Sequence, residues 1–226
     1  MSVFNSTQIA CPACGAAVTF ELVHSVNAVR RPDLRAAILD RSFQRQPCPT
    51  CGTAFRVDPQ FTYLDMARKQ FFAVWPASNL AQWQDYEARS QASYDKAFGP
   101  GTDGAALAGD LLARCVFGWL GLNEKIIAAE HKIDDVELEM AKLATLRTLG
   151  DLKLGADREF RLVGATDDEL SVGWLRTSTE EIDDEYSVPR QLLKDIHAEP
   201  EKWAALRADV SGGMFVDYRR LLFGKA

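Results

Sequence analysis

Cys11-Pro12-Ala13-Cys14-Gly15 and Cys48-Pro49-Thr50-Cys51-Gly52 are two copies of one five-residue pattern, with 33 residues between Cys14 and Cys48. Two thiols three positions apart can turn inward on one tight loop, and the glycine after the second thiol permits a positive φ. Two such loops supply four sulfurs, the number that completes a tetrahedron around one ion. A fifth cysteine, Cys115, stands alone. The N-terminus shows no basic flank followed by an apolar run, so the chain is expected in a reducing compartment. There, paired cysteines read as a metal site rather than as a disulfide framework. The candidate metal ligands are therefore Cys11, Cys14, Cys48 and Cys51.

A four-sulfur tetrahedron suits zinc or a single iron, and rubredoxin-type iron centres use similar loops. Zinc is the expectation. The intervening residues read as strand, helix and strand, and 175 residues follow Cys51, more than a small electron carrier needs. A thioredoxin-type dithiol fits less well, because neither pair precedes a helix start that would lower a thiol pKa. A segment of roughly 60 residues is too small to stabilise itself comfortably by apolar burial. Structural zinc contributes on the order of 10–16 kcal/mol to the folding of such a unit. Four protein ligands leave no open coordination position, so one structural Zn2+ in a zinc-ribbon-like unit is expected, not a catalytic metal.

Outward from the two loops, the 226 residues are 47% hydrophobic and 26% charged, which supports one large or two small domains and excludes a disordered tail. Lys and Arg total 26 against 32 Asp and Glu, a net charge of −6. Such a balance exerts no general pull toward nucleic acid or anionic membranes. No window approaches 18 uninterrupted apolar residues, so no membrane span is expected and a soluble, cytoplasmic protein is. Arg30, Arg31, Arg35, Arg41 and Arg45 cluster near the loops. Residues 1–60 nevertheless carry six Arg against four acids, and a zinc tetrathiolate adds about −2. The arginines therefore read as a solvated face, and nucleic-acid binding as unlikely.

The order of elements predicts an α+β fold: an N-terminal zinc-ribbon-like β unit with a short helix, residues 1–76, then a helix-rich α+β region, residues 77–226. Val18, Phe20, Leu22, His24 and Val26 alternate as in a half-buried strand, and His24 reads as a core or rim histidine. Residues 30–39 read as a short helix with Pro32 in its first turn. Strands are expected around residues 43–47, 53–57 and 69–75. Residues 79–98 read as a helix ending at a Gly99-Pro100-Gly101-Thr102-Asp103-Gly104 linker. Leu107, Leu111, Cys115 and Trp119 fall at steps of four on one helical face, which makes Cys115 a buried apolar side chain. Asp134 and Glu137 open a helix through Leu149. Residues 158–175 read as a β-hairpin with Phe160, Leu162, Leu170, Val172 and Trp174 inward. Residues 179–185 hold five acids and read as a solvated loop, Pro189 and Pro200 as helix starts, and Phe215, Tyr218 and Leu222 as a last helix.

The usual catalytic signatures are not seen: the sequence has no GxSxG, GxxxxGK[ST] or HExxH. His131 and His197 stand among charged helical neighbours, and the acid pairs Asp134/Asp135 and Asp167/Asp168 suit a helix start and a turn. No enzyme is expected.

The chain resembles the CpXC domain family, named for its two C-P-x-C motifs. The resemblance rests on Cys11 to Gly15, Val26-Asn27-Ala28, Leu34 to Leu39, Cys48 to Gly52 and Pro59 to Asp65. It continues through Arg114 to Gly118, Glu124 to Ile127 and Asp134-Asp135. Where the family pattern has Gly after the Ile-Leu pair, this chain has Asp40-Arg41. The resemblance implies a metal site and no assigned biochemical activity. The functional expectation is a zinc-binding interaction adaptor or regulator whose partner is another protein; the alternatives are a rubredoxin-like iron electron carrier and a nucleic-acid-binding zinc ribbon. Residues 123–200 carry 19 acids against 10 bases, which favours a basic partner surface.

Overall fold

In a computed structural model, which describes residues 2–223 apart from Asp151, Leu154 and Ala156, the chain is mixed α+β as expected. It forms two compact units, one from Met1–Asn79 and Ala88–Trp119, the other from Leu80–Glu87 and Leu120–Ala226.

The first unit is built on a five-stranded sheet. Strand β1 (Val3–Ala10) pairs antiparallel with β2 (Ala17–Asn27). Helix α1 (Pro32–Leu39) and the short hairpin of β3 (Arg45–Pro47) and β4 (Ala54–Arg56) follow. Strand β5 (Phe61–Asp65) then lies parallel to β2, so these elements form the crossover that a parallel pair requires. Strand β6 (Gln70–Trp75) pairs antiparallel with β5, and β7 (Leu112–Phe117) pairs parallel with β6. Pro32 occupies the first turn of α1, and Leu34 and Ile38 are its buried face. Tyr63 stacks on Phe72 at 5.7 Å between ring centres, while Phe43 meets Phe61 and Trp119 edge-on.

Several expectations for this unit are corrected. The spacing of Leu107, Leu111, Cys115 and Trp119 is not one helix: α3 spans only Ala105–Ala108, and residues 112–117 are strand. Cys115 is buried, as expected, but on β7. Gly99 to Gly104 is a turn inside this unit, between α2 (Trp83–Phe98) and α3. His24 is exposed, because the β1–β2 register slips there: Val3 faces Ser25 and Phe4 faces Val23, which leaves His24 as the extra residue of a bulge. Arg30, Arg31 and Arg45 are exposed, as expected of a solvated face, but Arg35 departs from it: it is buried within 3.8 Å of the fully buried Asp65.

In the second unit, β8 (Arg158–Ala165), β9 (Glu169–Arg176) and β10 (Ile182–Pro189) form an antiparallel sheet. The expected hairpin is β8–β9, and Phe160, Leu162, Leu170, Val172 and Trp174 are all inward, at most 2% exposed. Helix α4 (Gly118–Glu130), which belongs here from Leu120 onward, precedes α5 (Asp135–Leu146). Asp134 caps α5 as expected, its Oδ1 accepting from the backbone N–H groups of Val136 and Glu137 at 2.9 Å. Helices α6 (Gln191–Ala198) and α7 (Pro200–Ser211) pack on α5. The acidic run is not a loop throughout, because β10 begins within it at Ile182. Phe215 and Tyr218 are buried in an irregular stretch, and the last helix, α8, is only Arg220–Phe223.

Candidate metal centre

Both cysteine loops are hairpin turns. Ala10 ends β1 opposite Ala17 at the start of β2, and Pro47 ends β3 opposite Ala54 at the start of β4. The backbone closes each turn in the same way. Cys11 N–H donates to Ala16 O at 2.8 Å and Cys48 N–H to Thr53 O at 2.9 Å. Gly15 N–H then returns to Cys11 O, and Gly52 N–H to Cys48 O, both at 2.8 Å. That path needs φ of +74° at Gly15 and +73° at Gly52, a conformation glycine adopts without penalty.

The four sulfurs converge, all lying within 4.8 Å of one another. Cys11 Sγ is 3.8 Å from Cys51 Sγ, and Cys14 Sγ is 3.7 Å from Cys48 Sγ. A tetrahedral ion with metal–sulfur bonds of about 2.3 Å sets its sulfurs about 3.8 Å apart. A disulfide would need about 2.05 Å, and all five cysteines are free. The donor set therefore fits a metal ion, and these four thiolates are the residues that would hold it.

Each loop contributes one sulfur from beneath and one from outside: Cys11 and Cys48 are buried, Cys14 and Cys51 exposed. The buried pair rests on Val18 and Phe20 of β2, with Phe55 of β4 tilted against Phe20 at 5.1 Å. Two side-chain amides tie the second hairpin to β2. Gln46 Nε2 donates to Thr19 O at 2.7 Å, and Gln44 Nε2 donates to Glu21 O at 2.9 Å while its Oε1 accepts from Val23 N–H at 3.2 Å. Neither glutamine was marked by any sequence motif: Gln46 lies on β3, and Gln44 in the turn just before it.

Donors aimed at the sulfurs favour thiolates. The Thr53 side chain, and after it the Thr53 backbone N–H, pull Cys51 down to about 6. Backbone N–H groups of Cys51 and Thr50 lower Cys48. At Cys14 the Ala16 N–H also lowers the pKa, but the hydrogen bond shared with Cys51, burial and the other thiols outweigh it and raise the group. Cys14, Cys48 and Cys51 thus compete to shed their protons. A cation among them removes that competition, since a coordinating thiol is deprotonated outright.

Among the described residues, no other group of three or more Cys, His, Asp or Glu gathers in this way. Cys115 and His24 are not part of the cluster, and His197 instead pairs with Glu137 at 2.9 Å. Among the described residues, no helix is long and apolar enough to cross a membrane.

A ribbon of paired hairpins carrying four convergent thiolates, set in an α+β chain, defines a metal-binding protein of the four-cysteine class. More narrowly, the model of the CpXC family, described as CpXC protein, matches residues 9–142, and the chain belongs to that family. The match takes in both cysteine loops and continues through β7 and α4 into α5. No curated protein and no solved structure matches the chain.

Proposed function

We propose that this CpXC protein is a cytoplasmic zinc-binding interaction protein, an adaptor or regulator, in which one Zn2+ braces the first unit and the acidic second unit meets a basic surface of another protein. The convergence of four sulfurs from two hairpins carries the reading. All four coordination positions go to protein, which is the pattern of a metal that holds a fold rather than one that activates water. Bound there, zinc supplies a cross-link between the two hairpins. The glutamines of the second hairpin, the Gly15 and Gly52 turns and the Phe20–Phe55 contact set the thiolates in place for it. No catalytic role is assigned to any residue.

The acidic balance persists at the surface. Within the described residues of 123–200, setting aside five buried acids and three buried bases leaves 13 acids against 7 bases. A surface of one sign speeds encounter with a partner of the other. The arginines near the loops do not favour nucleic acid, because Arg35 is buried beside Asp65 and Arg56 lies over Trp119 at 3.8 Å.

Elemental analysis of the purified chain is expected to return one zinc per molecule in a colourless protein. A red protein with iron and a reversible redox signal would replace this reading with electron transfer. The interaction half is tested by affinity capture with the intact chain: a protein partner released as salt rises supports it. Capture of nothing, or a salt-dependent shift with single-stranded or duplex nucleic acid, would overturn it.

A further inference from the structure

Nine buried ionisable side chains of the second unit join in one connected ionic network. Lys125 of α4 pairs with Asp135 at 2.9 Å and faces Glu139 at 3.6 Å, both on α5. Lys142, also on α5, bridges Glu139 at 2.9 Å and Glu124 at 2.8 Å. Arg161 of β8 then takes Glu124 and Glu159 at 2.6 Å and Asp217 at 2.8 Å. Arg219 closes the far end on Glu159 at 2.8 Å and Asp217 at 3.0 Å. None of the nine is more than 5% exposed.

Among the described residues, the network has five acids and four bases. With every group ionised it would bury one unbalanced negative charge, and a group in that position takes up a proton instead. Partner geometry says which. Glu124 has Lys142 and Arg161 plus the Leu162 N–H at 2.8 Å. Glu159 and Asp217 each face two guanidinium groups, and Asp135 holds Lys125 at the shorter distance. Glu139 has the remainder. Its Oε2 accepts from Lys142 and from the Tyr218 N–H at 2.8 Å, while its Oε1 has no hydrogen bond and meets the Lys125 ammonium only at 3.6 Å, beyond hydrogen-bond reach.

We propose that the network holds one proton at neutral pH on Oε1 of Glu139, so that four cations face four carboxylates and the second unit folds around a neutral ionic core. The groups facing Glu139 are Lys142 and Asp135 from its own helix, Glu124 and Lys125 from α4, and Asp217 and Tyr218 from the stretch before α8. Burial holds Glu139 above the ordinary carboxylate range against the pull of Lys142, and Glu124 adds to the rise. Glu124 is the contrast: burial raises it, but Lys142 and Arg161 outweigh that and hold it below. An oxygen without a donor is also less costly neutral than charged. The sign of the linkage follows. A carboxyl raised in the folded state gives its full stability below the pKa of the unfolded chain, and that stability is lost as pH rises toward and through the folded value.

The test uses the full chain and Glu139→Gln, whose amide imitates the neutral acid. Infrared spectra at neutral pH are expected to show one protonated-carboxyl carbonyl stretch in the wild type that Glu139→Gln lacks. Between about pH 6 and about pH 8, the unfolding constant of the wild type relative to Glu139→Gln is expected to rise about tenfold per pH unit, the weight of one proton. Glu124→Gln, which breaks an ionised buried pair, is expected to raise the unfolding constant at least about 100-fold at neutral pH. Equal pH slopes, a carbonyl stretch that survives Glu139→Gln, or a Glu139→Gln chain as unstable as Glu124→Gln or unable to fold would each overturn the proposal.

Discussion

A methyl group on Gly15 or Gly52 would meet no atom within 4 Å, so an alanine at either position is opposed by backbone conformation alone. The left-handed region costs a side-chain-bearing residue about 1–2 kcal/mol. Gly15→Ala and Gly52→Ala are each expected to destabilise the metal-bound chain by about that amount in urea unfolding, with metal content unchanged. Loss of the metal from either variant would show that the turn has no slack, and that the sulfurs depend on φ at these residues to meet. The site was legible at this scale because its ligands come in two local repeats. Gln44 and Gln46, which dock the second hairpin on β2, were not: what they bond is a backbone more than 20 residues away.

Among the elements, α5 is the one whose start is written most plainly, since Asp134 accepts from the first-turn N–H groups of Val136 and Glu137. Asp134→Ala is expected to cost about 1 kcal/mol by chemical denaturation monitored in the second unit, and Asp134→Ser about half of that or less. The β8–β9 hairpin was equally readable, because in the sequence apolar Phe160, Leu162, Leu170, Val172 and Trp174 alternate with Arg161, Ser171 and Gly173, although each strand also buries four consecutive residues. β7 was not. Its last three residues are all buried, which erases the alternation, and Gly118 turns at φ +75° directly into α4. A short apolar run of this kind is ambiguous until its pairing is known, and the pairing with β6 lies about 40 residues back. β10 misled for the opposite reason. Its acids resemble a solvated loop, yet Asp183 is held by Arg176 of the adjacent β9 at 2.7 Å and by Arg158 of β8, one strand further, at 2.8 Å.

Across the whole molecule, the least legible feature is the ionic network, whose members run from Glu124 to Arg219 and carry no mutual spacing. The cysteine hairpins and the second unit differ in what holds them. The second has a large apolar core of its own, from Phe160, Leu162 and Trp174 to Val210 and Tyr218. The cysteine hairpins rest on a much smaller cluster around Val18 and Phe20, two of whose buried members, Cys11 and Cys48, belong to the four-cysteine site. A metal worth on the order of 10–16 kcal/mol to a small structural site is more than that cluster can replace. Chelation of the purified chain is therefore expected to act unevenly. Hydrogen exchange should show β1 to β4 losing protection and β8 to β10 keeping theirs. Substituting Ser for Cys48 should reproduce the same pattern without a chelator. Equal loss of protection in both regions would mean that the metal is holding the entire chain, and unchanged protection in β1 to β4 would mean that the hairpins do not need it.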